Sequence, residues 1–245
     1  ENIWNLHFES LRKQYKARIE KLYLKQKYDT ASLFNIASRM FTAMTDYDSI
    51  DALPDKKGRV KPKMRKQNAA TLNTLRPNLF NGGIYFISKQ NYQQAYALLD
   101  QYISAADLPM FKSYNYSSKD KHLLEAAYWA AYCGYKTHDA KKVLHNTYLA
   151  LKDKDHHESM MQYLVATYML EKDTARSVEA LKEGFRAYPK SNYFYAHLMD
   201  YYSGKADWKK ATELTNEALK ADSANLTVWL AQSTLLINTG DYEHS

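Results

Sequence analysis

Glycine and proline are scarce in this chain, with seven and five copies among 245 residues. That scarcity argues against a β protein of many turns and suits helices joined by short loops. Cysteine occurs once, at Cys133, which excludes an internal disulfide and any metal site built from several thiolates. No apolar run approaches the roughly 18 residues that would suggest a membrane-spanning helix. A signal peptide is missing too, and the chain opens at Glu1 without an initiator methionine. A removed export signal is one explanation and a shortened chain the other.

The motifs that usually carry chemistry are also missing. There is no G-x-G-x-x-G or Walker loop for phosphates, no G-x-S-x-G nucleophile turn and no H-E-x-x-H zinc pair. His156-His157-Glu158 gathers two imidazoles and a carboxylate, but adjacent residues on a helix point in different directions. A solvated helix start is the plainer reading. Cys133 follows Tyr132 on an apolar helix, so a buried thiol is expected rather than a nucleophile. No catalytic residue, cofactor or metal is expected, and the chain reads as something other than an enzyme.

What is present is a globular mix, 45% hydrophobic and 25% charged, with 22 tyrosines at mostly helical spacing. The formal charge of +7 is concentrated in Lys56, Lys57, Arg59, Lys61, Lys63, Arg65 and Lys66. Such a run can meet phosphates, an anionic membrane surface or an acidic partner. It lacks the interleaved aromatic residues that stack on bases, so nucleic acid is the weaker reading and a solvated loop the bland one.

A period of 34 residues runs through the last third. Met161, Tyr195 and Trp229 keep that spacing, as do Tyr168, Tyr202 and Leu236, and Ser177, Ala211 and Ser245. Each unit reads as two helices with apolar residues at i, i+3, i+4 and i+7. The expected segments are 158–170 and 174–187, then 192–202 and 207–221, with a third unit opening at Leu226 and cut off at Ser245. The turns fall at 171–173, 203–205 and 239–241, marked by glycine or small polar residues. Two looser units precede them. Gly83, Phe86, Ala95, Leu99 and Tyr102 form one, turning at 89–91; Tyr128, Ala131, Ala140 and Leu144 form another, turning at 134–138. About eleven residues are inserted between them, around Pro109 to Lys119, and Leu108-Pro109-Met110-Phe111 with the tyrosine-rich Tyr114-Asn115-Tyr116 is expected to be a loop lying on the array. Gly82-Gly83 is expected to let helices approach closely. Upstream, 4–25 and 30–45 read as a helical hairpin. A basic non-helical stretch follows over 53–67, then a helix from Asn68 to Arg76 that stops before Pro77. The division expected is therefore an N-terminal part, 1–76, and a repeat array, 77–245.

Tyr195, Met199, Tyr202, Ala211 and Ala218, with Met161, Tyr168, Leu181 and Pro189, resemble tetratricopeptide repeats. Gly184 and Val165 depart from the pattern, which favours a small residue with a Cβ at the first and a smaller one at the second. The wording of 48–54, 76–83 and 109–111 is similar to a group of tetratricopeptide proteins common in Bacteroidetes, many with export signals. The resemblance implies an all-α fold, a right-handed α-α superhelix. It also leans towards periplasm or cell envelope, with cytoplasm as the alternative.

In that family the first helix of each pair lines a concave groove, the usual site for a protein or peptide. Mapping the register nominates Phe80, Ile84, Glu125, Trp129, Tyr132, Gln162, Met169, Tyr193, His197 and Asp200. Packing against the next repeat is the rival role for Trp129 and Tyr132. The positions that would clamp a chain-terminal carboxylate carry Phe80/Ile84, Glu125/Trp129, Gln162/Ala166 and Ala196/Asp200, none of them a cation. The expected function is a binding module or scaffold. The alternatives are the recognition arm of a larger enzyme or regulator, and nucleic-acid binding through the basic run.

Overall fold

The computed structural model describes residues 2–239, and every regular element among them is helical. Four turns between helices follow one chemical plan. Gln90, His138, Lys172 and Ala206 each take left-handed backbone, with φ of 58°, 53°, 57° and 53°. The next residue, Asn91, Asp139, Asp173 or Asp207, sends its N–H back 2.9 Å to the carbonyl of Phe86, Gly134, Tyr168 or Tyr202. Its side chain then accepts from the N–H of Gln94, Lys142, Arg176 or Lys210 and caps the following helix. One short turn thus satisfies orphan carbonyls of the outgoing helix and orphan N–H groups of the incoming one. None of the four left-handed residues is glycine. Gly204, expected to mark its turn, is still helical, and Ala206 takes the left-handed role instead.

Residues up to Asp153 form one compact unit, and those from Lys154 a second. The first contains α1 (Asn2–Tyr23), α2 (Thr30–Asp51), α3 (Arg65–Ser88), α4 (Tyr92–Ser104), α5 (Tyr116–Lys119), α6 (Leu123–Lys136), α7 (Ala140–His145) and α8 (Thr147–Ala150). Each long helix packs on its neighbours in sequence: α3 on α2 and α4, and α4 on α6. Phe41, Leu72, Leu79, Leu98 and Leu99 form the centre. Gly82 and Gly83 are required there, as the sequence suggested. A Cβ on Gly82 would lie 2.9 Å from Phe34 and Leu98, and one on Gly83 2.5 Å from Leu99.

Two expectations fail in this unit. The helix read as ending at Arg76 instead runs from Arg65 to Ser88 with Pro77 inside it, so the boundary placed between residues 76 and 77 falls mid-helix. Proline costs a helix interior about 3 kcal/mol and withholds the N–H that the Asn73 carbonyl would take. Buried Leu72, Leu75 and Leu79 outweigh it, at about 1.5–3 kcal/mol each. The inserted segment is not a loop on the surface either. Ala105–Asp107 and Pro109–Phe111 are single 3₁₀ turns, and Asn115 at φ 51° leads into α5. Phe111 is fully buried, stacked on Phe41 of α2 with centroids 5.7 Å apart, and Met110 and Tyr116 are buried beside it. A segment this rich in aromatic area lowers its free energy by joining the core.

The second unit contains α9 (His157–Leu170), α10 (Thr174–Ala187), α11 (Asn192–Gly204), α12 (Trp208–Ala221) and α13 (Leu226–Thr239). α10 and α12 begin and end 34 residues apart. Met161 and Tyr195 are both buried, as are Ser177 and Ala211. Gly184 departs from alanine for a steric reason, since a Cβ there would sit 2.3 Å from the buried ring of Phe194. The expected turn at Gly240-Asp241 and the last position of the period, Ser245, lie outside the described residues. No helix among the described residues is long and apolar enough to cross a membrane.

Candidate binding site

Arg76, Phe80 and Ile84 stand four residues apart on α3 and so share one face of it. Arg76 is the anchor. It is only 4% exposed, yet it lies among polar and aromatic groups that satisfy most of it. Nη1 pairs with Asp120, and Nη2 donates to the carbonyl of Tyr102 at 3.0 Å. The guanidinium lies between two rings, 3.7 Å from the centroid of Tyr102 and 3.9 Å from that of Tyr116. Asp120 accepts also from the Tyr102 hydroxyl at 2.7 Å and from the N–H of His122 at 3.0 Å. Burial works to raise the Asp120 pKa, but the bonds from Tyr102 and Arg76 outweigh it and hold the carboxyl below its ordinary value. Burial pushes the Tyr116 hydroxyl up to about 12, and raises Tyr102 further with help from its bond to Asp120. These groups therefore act as fixed, neutral donors and a fixed ion pair near neutral pH.

A cavity of about 500 Å³ opens against this network, walled by Asn73, Arg76, Pro77, Phe80, Tyr102, Tyr114, Tyr116 and His122. Its polar inventory is incomplete. Arg76 Nε is buried with no hydrogen-bond partner. Pro77, on the same wall, has no N–H to give the Asn73 carbonyl. The buried Nε of Arg76 and the proline that withholds an N–H from Asn73 thus belong to residues of one aromatic cavity.

From the cavity mouth an aromatic row continues along α6. The ring of Phe80 meets His122 at 5.1 Å, and His122 Nδ1 lies 3.2 Å from Glu125. Glu125 accepts from Trp129 Nε1 at 3.3 Å, and Trp129 meets Tyr132 edge to face at 5.6 Å. Phe80, Ile84, Glu125, Trp129 and Tyr132 are all half-buried. Four of these five nominated residues are therefore joined contact by contact, with His122 as the link that the sequence reading left out. Tyr132 also packs on Tyr92 of α4 at 5.9 Å, so it has a packing role as well.

The other five nominated residues belong to the second unit. Tyr193 stacks edge to face on His197 at 4.6 Å and donates its hydroxyl to the carbonyl of Gln162 at 3.3 Å. Met169 and Asp200 are exposed, towards the far ends of α9 and α11. Of the basic run, Arg59 is tied to Asp55, and Arg65 makes a two-pronged bond to buried Asp48 at 2.9 and 3.0 Å. Lys56, Lys57, Lys61, Lys63 and Lys66 are exposed.

Cys133 is fully buried, and burial pushes its thiol up to about 12, which suits an inert core sulfur. In the histidine pair, His157 Nδ1 faces the Tyr188 hydroxyl at 2.8 Å, and Glu158 accepts from Ser191 at 2.6 Å. Among the described residues no group of three or more histidine, cysteine or acidic side chains could hold a metal.

Sequence reasoning missed Arg76, Tyr102, Tyr116 and Asp120. The proline after Arg76 makes it look like a helix end, and the other three lie on α4, in the insertion and just past it. One signal was legible: an arginine between Leu75 and Pro77, in a stretch otherwise apolar on that face, needs a buried counter-charge. Comparison with protein-family models and with curated proteins yields no match to this chain.

Proposed function

We propose that the chain is a protein-binding module of the tetratricopeptide type, a right-handed α-α superhelix that holds a peptide segment of another protein. The observation that carries this reading is the meeting of the cavity and the aromatic row at Phe80 and His122. A peptide inserting one side chain gains ring contacts in the cavity beside the Arg76–Asp120 pair. Its continuation runs over Trp129, whose half-buried ring supplies the area that typically dominates binding energy. The repeat reading is supported by the 34-residue offset of α10 and α12 and by the turn plan recurring four times.

The test is selection of displayed random peptides on the intact protein, followed by titration of the enriched sequences. Phe80→Ala and Trp129→Ala, each checked for native circular dichroism, should weaken those peptides about tenfold or more. Enriched peptides indifferent to both substitutions, or no enrichment at all, would remove the reading.

A further inference from the structure

Tyr114 lines two depressions. One is the cavity beside Arg76; the other, about 650 Å³, lies against Pro62, Arg65, Lys66, Met110 and Lys112. The second carries three cations and no carboxylate in its lining. Arg65 is neutralised by Asp48 behind it. Lys66 and Lys112 are exposed and have no acidic partner among the described residues. Like charges gathered on one concave surface raise each other's potential and favour an anionic occupant. Residues distant in sequence build this surface, because Lys66 opens α3 while Lys112 and Tyr114 come from the insertion.

The chemistry discriminates between kinds of anion. Nucleobases need open aromatic faces. Here one face of Tyr114 is taken by Tyr116, with centroids 5.6 Å apart and planes 22° apart, and Arg76 covers the Tyr116 ring at 3.9 Å, so no row of open rings lines the basic surface. Carboxylate side chains need only the ammonium groups, and an extended peptide alternates its side chains from one side to the other. We propose that the partner segment is acidic and crosses Tyr114. It sets carboxylates against Lys66 and Lys112 and an apolar residue in the cavity beside Arg76. This rests on reading that cavity as a peptide site, and it names the chemistry of the peptide.

The test is fluorescence anisotropy on the full chain with three labelled probes: a peptide of alternating glutamate and phenylalanine, its glutamine counterpart, and an oligothymidylate. The glutamate peptide should bind about tenfold more tightly than the glutamine peptide at low salt, and the gap should close as salt rises. Lys66→Gln with Lys112→Gln should bring the glutamate peptide down to the glutamine level without changing the helical spectrum. Phe80→Ala should weaken both peptides. If both peptides bind equally and still depend on Phe80, the acidic preference is wrong and the peptide site stands. Absence of binding by either peptide overturns both. Tighter binding of the oligothymidylate, lost in the lysine variant, would make the basic face a nucleic-acid site and overturn the proposal.

Discussion

Arg76 shows how much one residue can organise when it is buried with its counter-charge. Its side chain and that of Asp120 are 5% and 8% exposed, and each is also hydrogen-bonded to Tyr102. Removing one partner of such a pair leaves the other charge in low dielectric without compensation. Arg76→Met should therefore cost about 3–5 kcal/mol, measured by urea unfolding, while Arg76→Met with Asp120→Asn should recover part of that loss. A single variant within about 1 kcal/mol of wild type would mean the pair is solvated and the cavity differently shaped. The residue was visible in the sequence, but its partner was not. Forty-four positions separate Arg76 from Asp120, and no periodicity links them.

The recurring turn is the unit of design among the elements. It places a non-glycine residue in left-handed backbone four times, and Ala206 is the least suited of the four because it has no polar side chain to bond locally. Ala206→Gly should stabilise the protein by about 0.5–1 kcal/mol in urea unfolding, since the native φ of 53° then carries no Cβ penalty. A destabilised variant would mean that the freedom glycine adds to the unfolded chain outweighs that relief. The turns themselves were legible at 89–91, 134–138 and 171–173, because glycine or small polar residues interrupt the apolar spacing there and it resumes beyond them. Which residue would turn left-handed was not legible. It depends on where the Schellman-type bond closes, and α11 runs on to Gly204 before that happens. Helix α3 misled for a related reason: proline is a local penalty, and three leucines of α3 itself, buried against helices from elsewhere in the unit, override it.

Across the whole molecule, carboxylates held below their ordinary pKa set the acid limit. Against the effect of burial, Asp120 is held down by Tyr102 and Arg76 and Asp139 by Lys142; the caps Asp173 and Asp207 are held down by their bonds to Arg176 and Lys210. A depressed carboxylate contributes stability that is fully present above its unfolded value, about 3.9, and is lost as pH falls through the folded value below that. Protonation also raises a net charge that is already +7 at neutrality, which adds self-repulsion. Thermal midpoints followed by circular dichroism should be level from about pH 5 to 8 and fall steeply below about pH 4. A midpoint unchanged at about pH 3 would contradict the pairing described for these groups.

The 34-residue spacing, the scarcity of glycine and proline, and the small polar residues at the turns were enough by themselves to determine that the chain is helical and where most helices begin. Those signals are local: a helix needs only its own periodicity and its own ends. Tertiary structure alone decided that α3 would pass through Pro77 and that the aromatic insertion would enter the core. It also decided that Arg76, Tyr102, Tyr116 and Asp120 would meet around a cavity. Each of those outcomes depends on area and charge supplied by segments far away in sequence, whose contributions become favourable only once the helices have packed.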